Sequence, residues 1–121
     1  IWALRQTYDV PIWLVGTSRG STSVANAGIR LQAAPPDGLV LTSLISRENR
    51  RGGNVLDMNL EAITAPTLVA HHLKDDCWVT PYSGAVEIES ALSKSTYVAL
   101  MAFDGGKQAE NSCKSLSHRV F

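Results

Sequence analysis

The chain has 121 residues, of which 45% are hydrophobic, and eleven Lys or Arg balance eleven Asp or Glu. This composition is typical of one globular unit, and its neutral charge gives no reason to expect nucleic acid as a partner. The longest apolar runs, at residues 10–15 and 97–103, fall far short of the roughly 20 residues that a membrane-spanning helix needs. We therefore expect no membrane partner either.

Hydrophobic patterning in the first part of the chain predicts two strands separated by a helix. The apolar run 11–15 predicts a strand buried on both faces. Apolar residues then recur at helical spacing, which predicts a helix over 19–32. Two prolines and a glycine break the chain at 35–38, and the run 39–45 predicts a second buried strand.

The second part of the chain continues this alternation. Helical spacing of apolar residues at 56–63 predicts a further helix, and 67–71 read as a third strand. Pro81 is typical of a helix start, so we predict a helix over 81–94, followed by a fourth strand over 96–103. Strands that alternate with helices predict an α/β fold, with about four mostly parallel strands flanked by helices.

The segment between the first strand and the following helix matches a nucleophile motif. Gly16-Thr-Ser-Arg-Gly20 fits the Gly-x-Ser-x-Gly elbow, in which the serine projects from a sharp strand-to-helix turn. Ser18 is then the candidate nucleophile, and Gly16 and Gly20 leave room for the turn. The backbone N–H of Arg19 would stabilise a developing oxyanion. The alternative is an ordinary turn rich in Gly and Ser.

In proteins with this elbow, the catalytic acid follows the serine along the chain and the histidine comes last. The chain offers candidates for both residues in that order. Asp75 and Asp76 follow the third predicted strand and compete as the acid. His118 is the sole histidine after the fourth strand, although a surface histidine near a chain end is the alternative. His71 and His72 precede the acid, so we expect them to be pocket or core residues.

The two cysteines flank these candidate residues. Cys77 lies two residues after Asp75, and Cys113 lies five residues before His118, so a disulfide would join the acid loop to the base loop. Closing such a loop contributes roughly 4 kcal/mol and requires an oxidising compartment. The alternatives are two unrelated buried thiols, or a zinc site that combines both cysteines with histidines.

At this point the chain resembles one branch of the α/β-hydrolases, made of exported bacterial proteins. The resemblance is carried by Trp13 to Gly20, Val55 to Asp57, Ala65 to Thr67, His71, His72, Asp75, Cys77, Thr80, Pro81, Gly105, Gly106, Cys113 and His118. In that branch the acid stands two residues before the cysteine of this loop, which selects Asp75.

The resemblance implies a fold and a function. Residues 1–121 would form a single partial domain, the C-terminal half of an α/β-hydrolase fold that lacks its N-terminal strands and final helix. The protein would be a periplasmic or secreted serine hydrolase that cleaves an ester-like bond of a small molecule, without a metal or organic cofactor. An open sheet edge beside the first strand would favour self-association. The alternative is a non-catalytic interaction or scaffold module built on a degraded hydrolase fold.

The polar stretch from Ser46 to Asn54 carries three arginines and two glycines. In the fold that the resemblance implies, Asn49 to Gly53 lie where a cap is inserted, and the arginines of this stretch would meet an anionic substrate. The alternative is a solvated loop.

Overall fold

The computed structural model describes residues 1–105, 112–114 and 118, and strands and helices alternate along this part of the chain. In chain order the elements are α1 (Trp2–Thr7), β1 (Trp13–Thr17), α2 (Arg19–Arg30), β2 (Gly38–Thr42), β3 (Thr67–His72), α3 (Tyr82–Ala91) and β4 (Val98–Phe103). Short 3₁₀ turns lie at Val55–Asp57, Leu60–Ala62 and Ser112–Lys114. None of the helices within the described ranges is long and apolar enough to span a membrane.

The four strands form one sheet in the order β1-β2-β3-β4, and each neighbouring pair is parallel. The α/β prediction is therefore confirmed, including the parallel sheet. Because parallel strands point the same way, the loops that follow them gather at a single edge of the sheet. Ser18, Asp75 and His118, which follow β1, β3 and β4 along the chain, are thus expected near this edge.

The hydrophobic core joins α2 and α3 to one face of the sheet. Leu39, Leu41 and Val69 supply the sheet side of this core and are fully buried. Residues of one strand alternate between its two faces, so their neighbours along the strands point away from the helices. The core thereby fixes the sheet against α2, which begins directly after Ser18, and against α3, which begins two residues after Thr80.

The prediction that the first strand is buried on both faces is wrong. Trp13 is 50% exposed and Val15 is 65% exposed, whereas Gly16 between Val15 and Thr17 is buried. The reason is that β1 pairs only with β2 among the described residues, and α2 covers only one of its faces. Periodicity indicated an apolar strand but not its position at the edge of the sheet.

The largest further differences from the predicted elements concern residues 56–63 and 39–45. The helix predicted over 56–63 is instead a pair of 3₁₀ turns, since Met58 adopts an extended backbone between them (φ −87°, ψ 159°). The second strand ends at Thr42 rather than Ile45, because Ser43 takes a positive φ of 40° and leaves the strand conformation. Helix α1 was not predicted, and its six residues bury no side chain.

Candidate active site

Ser18 lies in a sharp turn between β1 and α2. Its backbone has φ 50° and ψ −115°, in a region that residues with side chains rarely adopt. The Ser18 N–H donates to the Thr42 carbonyl oxygen at 2.9 Å. The Ser21 hydroxyl donates to the Ser18 carbonyl oxygen at 2.5 Å and accepts from the Ile45 N–H at 3.2 Å. The strained turn is therefore held by the segment that follows β2.

The glycines of the motif are not equivalent. A Cβ atom added at Gly16 would lie only 2.6 Å from the carbonyl carbon of Gly20 and 2.7 Å from Cγ2 of Val24. An added Cβ at Gly20 would meet no heavy atom within 4 Å. Space for the turn therefore depends on glycine at position 16, and the structure gives no steric reason for glycine at position 20.

We predict that Gly16→Ala lowers the free energy of unfolding by about 1–3 kcal/mol, because the new methyl group forces α2 away from β1. Gly20→Ala is the matched control, and it should keep or slightly raise this free energy because alanine favours a helix. Urea denaturation followed by circular dichroism measures both values. Equal losses in the two variants would contradict the steric argument.

An acid–base cluster lies at the ends of β3 and β4. Asp75 Oδ2 lies 3.1 Å from His118 Nδ1, and both side chains are buried. The Thr80 hydroxyl donates to Asp75 Oδ2 at 3.0 Å and also lies 3.0 Å from His118 Nδ1. The Cys77 N–H donates to Asp75 Oδ1 at 3.1 Å. These contacts are all satisfied when His118 carries its proton on Nδ1, which leaves Nε2 as an acceptor.

Of the two candidate acids, Asp75 is the one whose carboxylate contacts His118. Asp76 is half-buried on the same loop.

Two supporting residues were given no part in the candidate site by the sequence analysis, although Thr80 contributed to the resemblance. Thr80 is fully buried and bridges the acid to the imidazole, as described above. Ser43 Oγ donates to the backbone oxygen of His118 at 2.7 Å, across 75 positions of sequence. No sequence signal pointed to this contact, because Ser43 lies inside the strand predicted over 39–45 and its partner is distant along the chain.

The adjacent histidines of β3 differ in their hydrogen bonding. His72 Nε2 lies 2.7 Å from the Gly105 oxygen, and His72 Nδ1 accepts from the Lys74 N–H at 3.0 Å. His72 is therefore a satisfied core histidine, as predicted. His71 Nδ1 lies 3.2 Å from the His72 oxygen, whereas His71 Nε2 has no hydrogen-bond partner among the described residues and stands 3.9 Å from Asp75 Oδ2.

Burial lowers the pKa of His71 below its usual value, against a weaker opposing attraction from the Asp75 carboxylate. The folded state therefore holds His71 neutral at a pH where the unfolded chain begins to bind a proton. Its contribution to stability is complete above the unfolded pKa of about 6.5 and is lost as the pH falls below that value.

We predict a free energy of unfolding that declines between pH 7.5 and pH 5, with His71 contributing at most about 1.4 kcal/mol per pH unit. The His71→Gln variant should decline less steeply over this range, because glutamine does not titrate. Urea denaturation at several pH values measures the slopes. Identical slopes in the two proteins would show that His71 does not contribute to the pH dependence of the free energy of unfolding.

The Sγ atoms of Cys77 and Cys113 are 2.10 Å apart, which is the distance of a disulfide bond. The bond joins the loop that carries Asp75 to the segment before His118. With their sulfur atoms bonded to each other, the cysteines no longer offer the two thiolates that the zinc alternative requires. The pair is compatible with an oxidising compartment.

Ser18 and His118 line the same cavity, which has a volume of about 680 Å³. This volume lies within the range of small-molecule sites. No direct hydrogen bond joins the Ser18 hydroxyl to His118 among the contacts of the described residues, and such bonds are often long in unliganded enzymes. Arg19 is the first residue of α2, where backbone N–H groups have no acceptor within the helix.

The four-stranded parallel sheet, flanked by helices, makes this chain an α/β protein. Its candidate site lies at the carboxyl ends of the strands, where open α/β sheets bind their ligands. Comparisons with protein-family models, curated proteins and solved structures give no match.

Proposed function

We propose that the protein is a serine hydrolase that acts by acyl transfer on an ester-like bond of a small molecule. The observation that carries this proposal is the Asp75–His118 hydrogen bond, because His118 lines the same cavity as Ser18. The strained backbone at Ser18 and the order of the three residues along the chain agree with the nucleophile elbow of the α/β-hydrolases.

In the proposed reaction, Ser18 Oγ attacks the carbonyl carbon of the ester while His118 Nε2 takes the hydroxyl proton. Asp75 accepts from His118 Nδ1 and stabilises the imidazolium that forms. The oxyanion receives a hydrogen bond from the Arg19 N–H, and the intermediate collapses when His118 returns its proton to the leaving alcohol. Water then attacks the acyl-enzyme by the same steps and releases the acid.

The test is covalent labelling with a fluorophosphonate, followed by intact-mass measurement and peptide mapping. We expect one adduct on Ser18, and we expect it to be absent from Ser18→Ala and strongly reduced in His118→Ala. Ser23→Ala is the matched control, because Ser23 is an exposed serine of α2, the helix that follows Ser18. A folded wild-type protein that does not react, or a Ser18→Ala variant that still does, would overturn the proposal.

One observation favours a second candidate, a non-catalytic interaction module. Edge strand β1 presents Trp13 and Val15 to solvent, and large apolar side chains exposed on an edge strand are typical of a surface that binds another chain. Absence of labelling, together with concentration-dependent association that Trp13→Lys abolishes, would support this function instead.

The proposal also includes export to the periplasm or the cell exterior. Its support is the Cys77–Cys113 pair, because such bonds persist in oxidising compartments.

A further inference from the structure

The charged residues that line the cavity are cationic. Arg19, Arg50 and Arg51 all contribute to its wall, and no Asp or Glu does so within the described part of the chain. Like charges that lie together without a carboxylate repel one another, so a bound anion would stabilise this arrangement.

The arginines of the segment after β2 have separate roles. Arg47 donates to Glu87 at 2.8 Å and to Ser83 at 3.1 Å, which attaches the segment to α3. Arg50 and Arg51 take part in no ion pair with any described residue and lie in the cavity wall. Within the polar stretch, Arg47 is therefore a structural residue, whereas Arg50 and Arg51 belong to the cavity.

The turn that carries these two cations is fixed beside the nucleophile. The Arg19 guanidinium donates to the Arg51 backbone oxygen and to Asn49 Oδ1, each at 3.0 Å. Asn49 Oδ1 also accepts from the Arg51 N–H at 3.0 Å. Because Arg19 directly follows Ser18, these bonds hold the turn against the elbow.

The remaining wall of the cavity is largely apolar. Ile45, Trp78 and Val79 contribute to it, and Trp78 is 63% exposed. A ligand that fits both parts has a short apolar portion and a negative charge.

We propose, on the basis of the proposed hydrolase function, that the substrate is an ester that carries a carboxylate within a few bonds of the scissile carbonyl. Arg50 and Arg51 bind this carboxylate, while the apolar portion contacts Trp78. Guanidinium groups suit this role because their planar donors match the two oxygens of a carboxylate.

The kinetic test compares anionic esters with neutral esters of similar size. One pair places the charge on the acyl side, with mono-4-nitrophenyl glutarate against 4-nitrophenyl valerate. The other places it on the alcohol side, with 4-carboxyphenyl acetate against its methyl ester. In at least one pair we expect kcat/KM to favour the anionic ester about tenfold, since two exposed ion pairs contribute this much.

The ratio of kcat/KM for the anionic ester to kcat/KM for the neutral ester should fall towards one in the Arg50→Gln/Arg51→Gln variant and in high salt. Arg30→Gln should retain the preference, because Arg30 is an exposed arginine of α2 outside the cavity. An anionic preference that the double variant keeps would overturn the inference.

A binding measurement separates this inference from the proposed function. Monomethyl glutarate is titrated into Ser18→Ala, with and without the Arg50→Gln/Arg51→Gln changes, and binding is followed by nuclear magnetic resonance. If no ester is hydrolysed but the anion binds and the arginine changes weaken its binding, the anion site stands and the hydrolase proposal fails. If charged and neutral esters are hydrolysed equally and the anion does not bind, the hydrolase proposal stands and the anion site fails.

Discussion

If the protein is the proposed hydrolase, we expect Asp75→Asn to lower kcat/KM for ester hydrolysis by about 10,000-fold, the loss that follows when the acid that orients a catalytic histidine becomes an amide. Asp75 accepts at both oxygens, from the Cys77 N–H at one and from Thr80 and His118 at the other. An amide group presents a donor at one of these positions. It therefore favours the His118 tautomer whose Nε2 carries the proton, and such an imidazole cannot take a proton from Ser18.

Asp76→Asn is the matched control for this variant, and its kcat/KM should remain near that of the wild-type protein. Hydrolysis of a 4-nitrophenyl ester measures both variants, and urea denaturation shows whether each is folded at the assay temperature. A larger loss in Asp76→Asn than in Asp75→Asn would show that the acid has been assigned to the wrong residue.

Removing the disulfide lowers the free energy of unfolding by about 4 kcal/mol, because the bond closes a loop across a sequence separation of 36 residues. The paired substitution Cys77→Ser with Cys113→Ser tests this value by urea denaturation. We also expect lower activity, since Cys77 donates its N–H to Asp75 and the bond holds the segment before His118 close to this loop.

Chemical reduction supplies an independent measurement of the same bond. Dithiothreitol should destabilise the wild-type protein to the level of the paired serine variant, and it should leave that variant unchanged. Alkylation of both cysteines in the folded protein before reduction would contradict the disulfide.

The predicted effects of Asp75 and of the disulfide concern one small region, because Cys77 contacts the carboxylate and is also bonded to Cys113. Asp75→Asn tests the orientation of the His118 imidazole, whereas the paired cysteine variant tests the attachment of Cys77 to Cys113. Asp75→Asn should lose activity while the protein remains folded, whereas the cysteine variant should lose both activity and about 4 kcal/mol of stability.

The sequence by itself determined the alternation of strands and helices and the location of the candidate residues. Apolar runs of strand length and residues at helical spacing reflect local burial, so they indicated four strands and the helices α2 and α3. Ser18, Asp75 and His118 then followed as an ordered set, since the loops after parallel strands meet at one edge of the sheet.

The tertiary structure alone decided which side chains meet. Asp75 and Asp76 are adjacent along the chain, but only the fold shows which of them reaches His118, 43 positions away. In the same way, Arg47 pairs with Glu87, while Arg50 and Arg51 line the cavity. The exposure of Trp13 on edge strand β1 was also hidden, because a local pattern reports the character of a segment and not the distant segments that cover it.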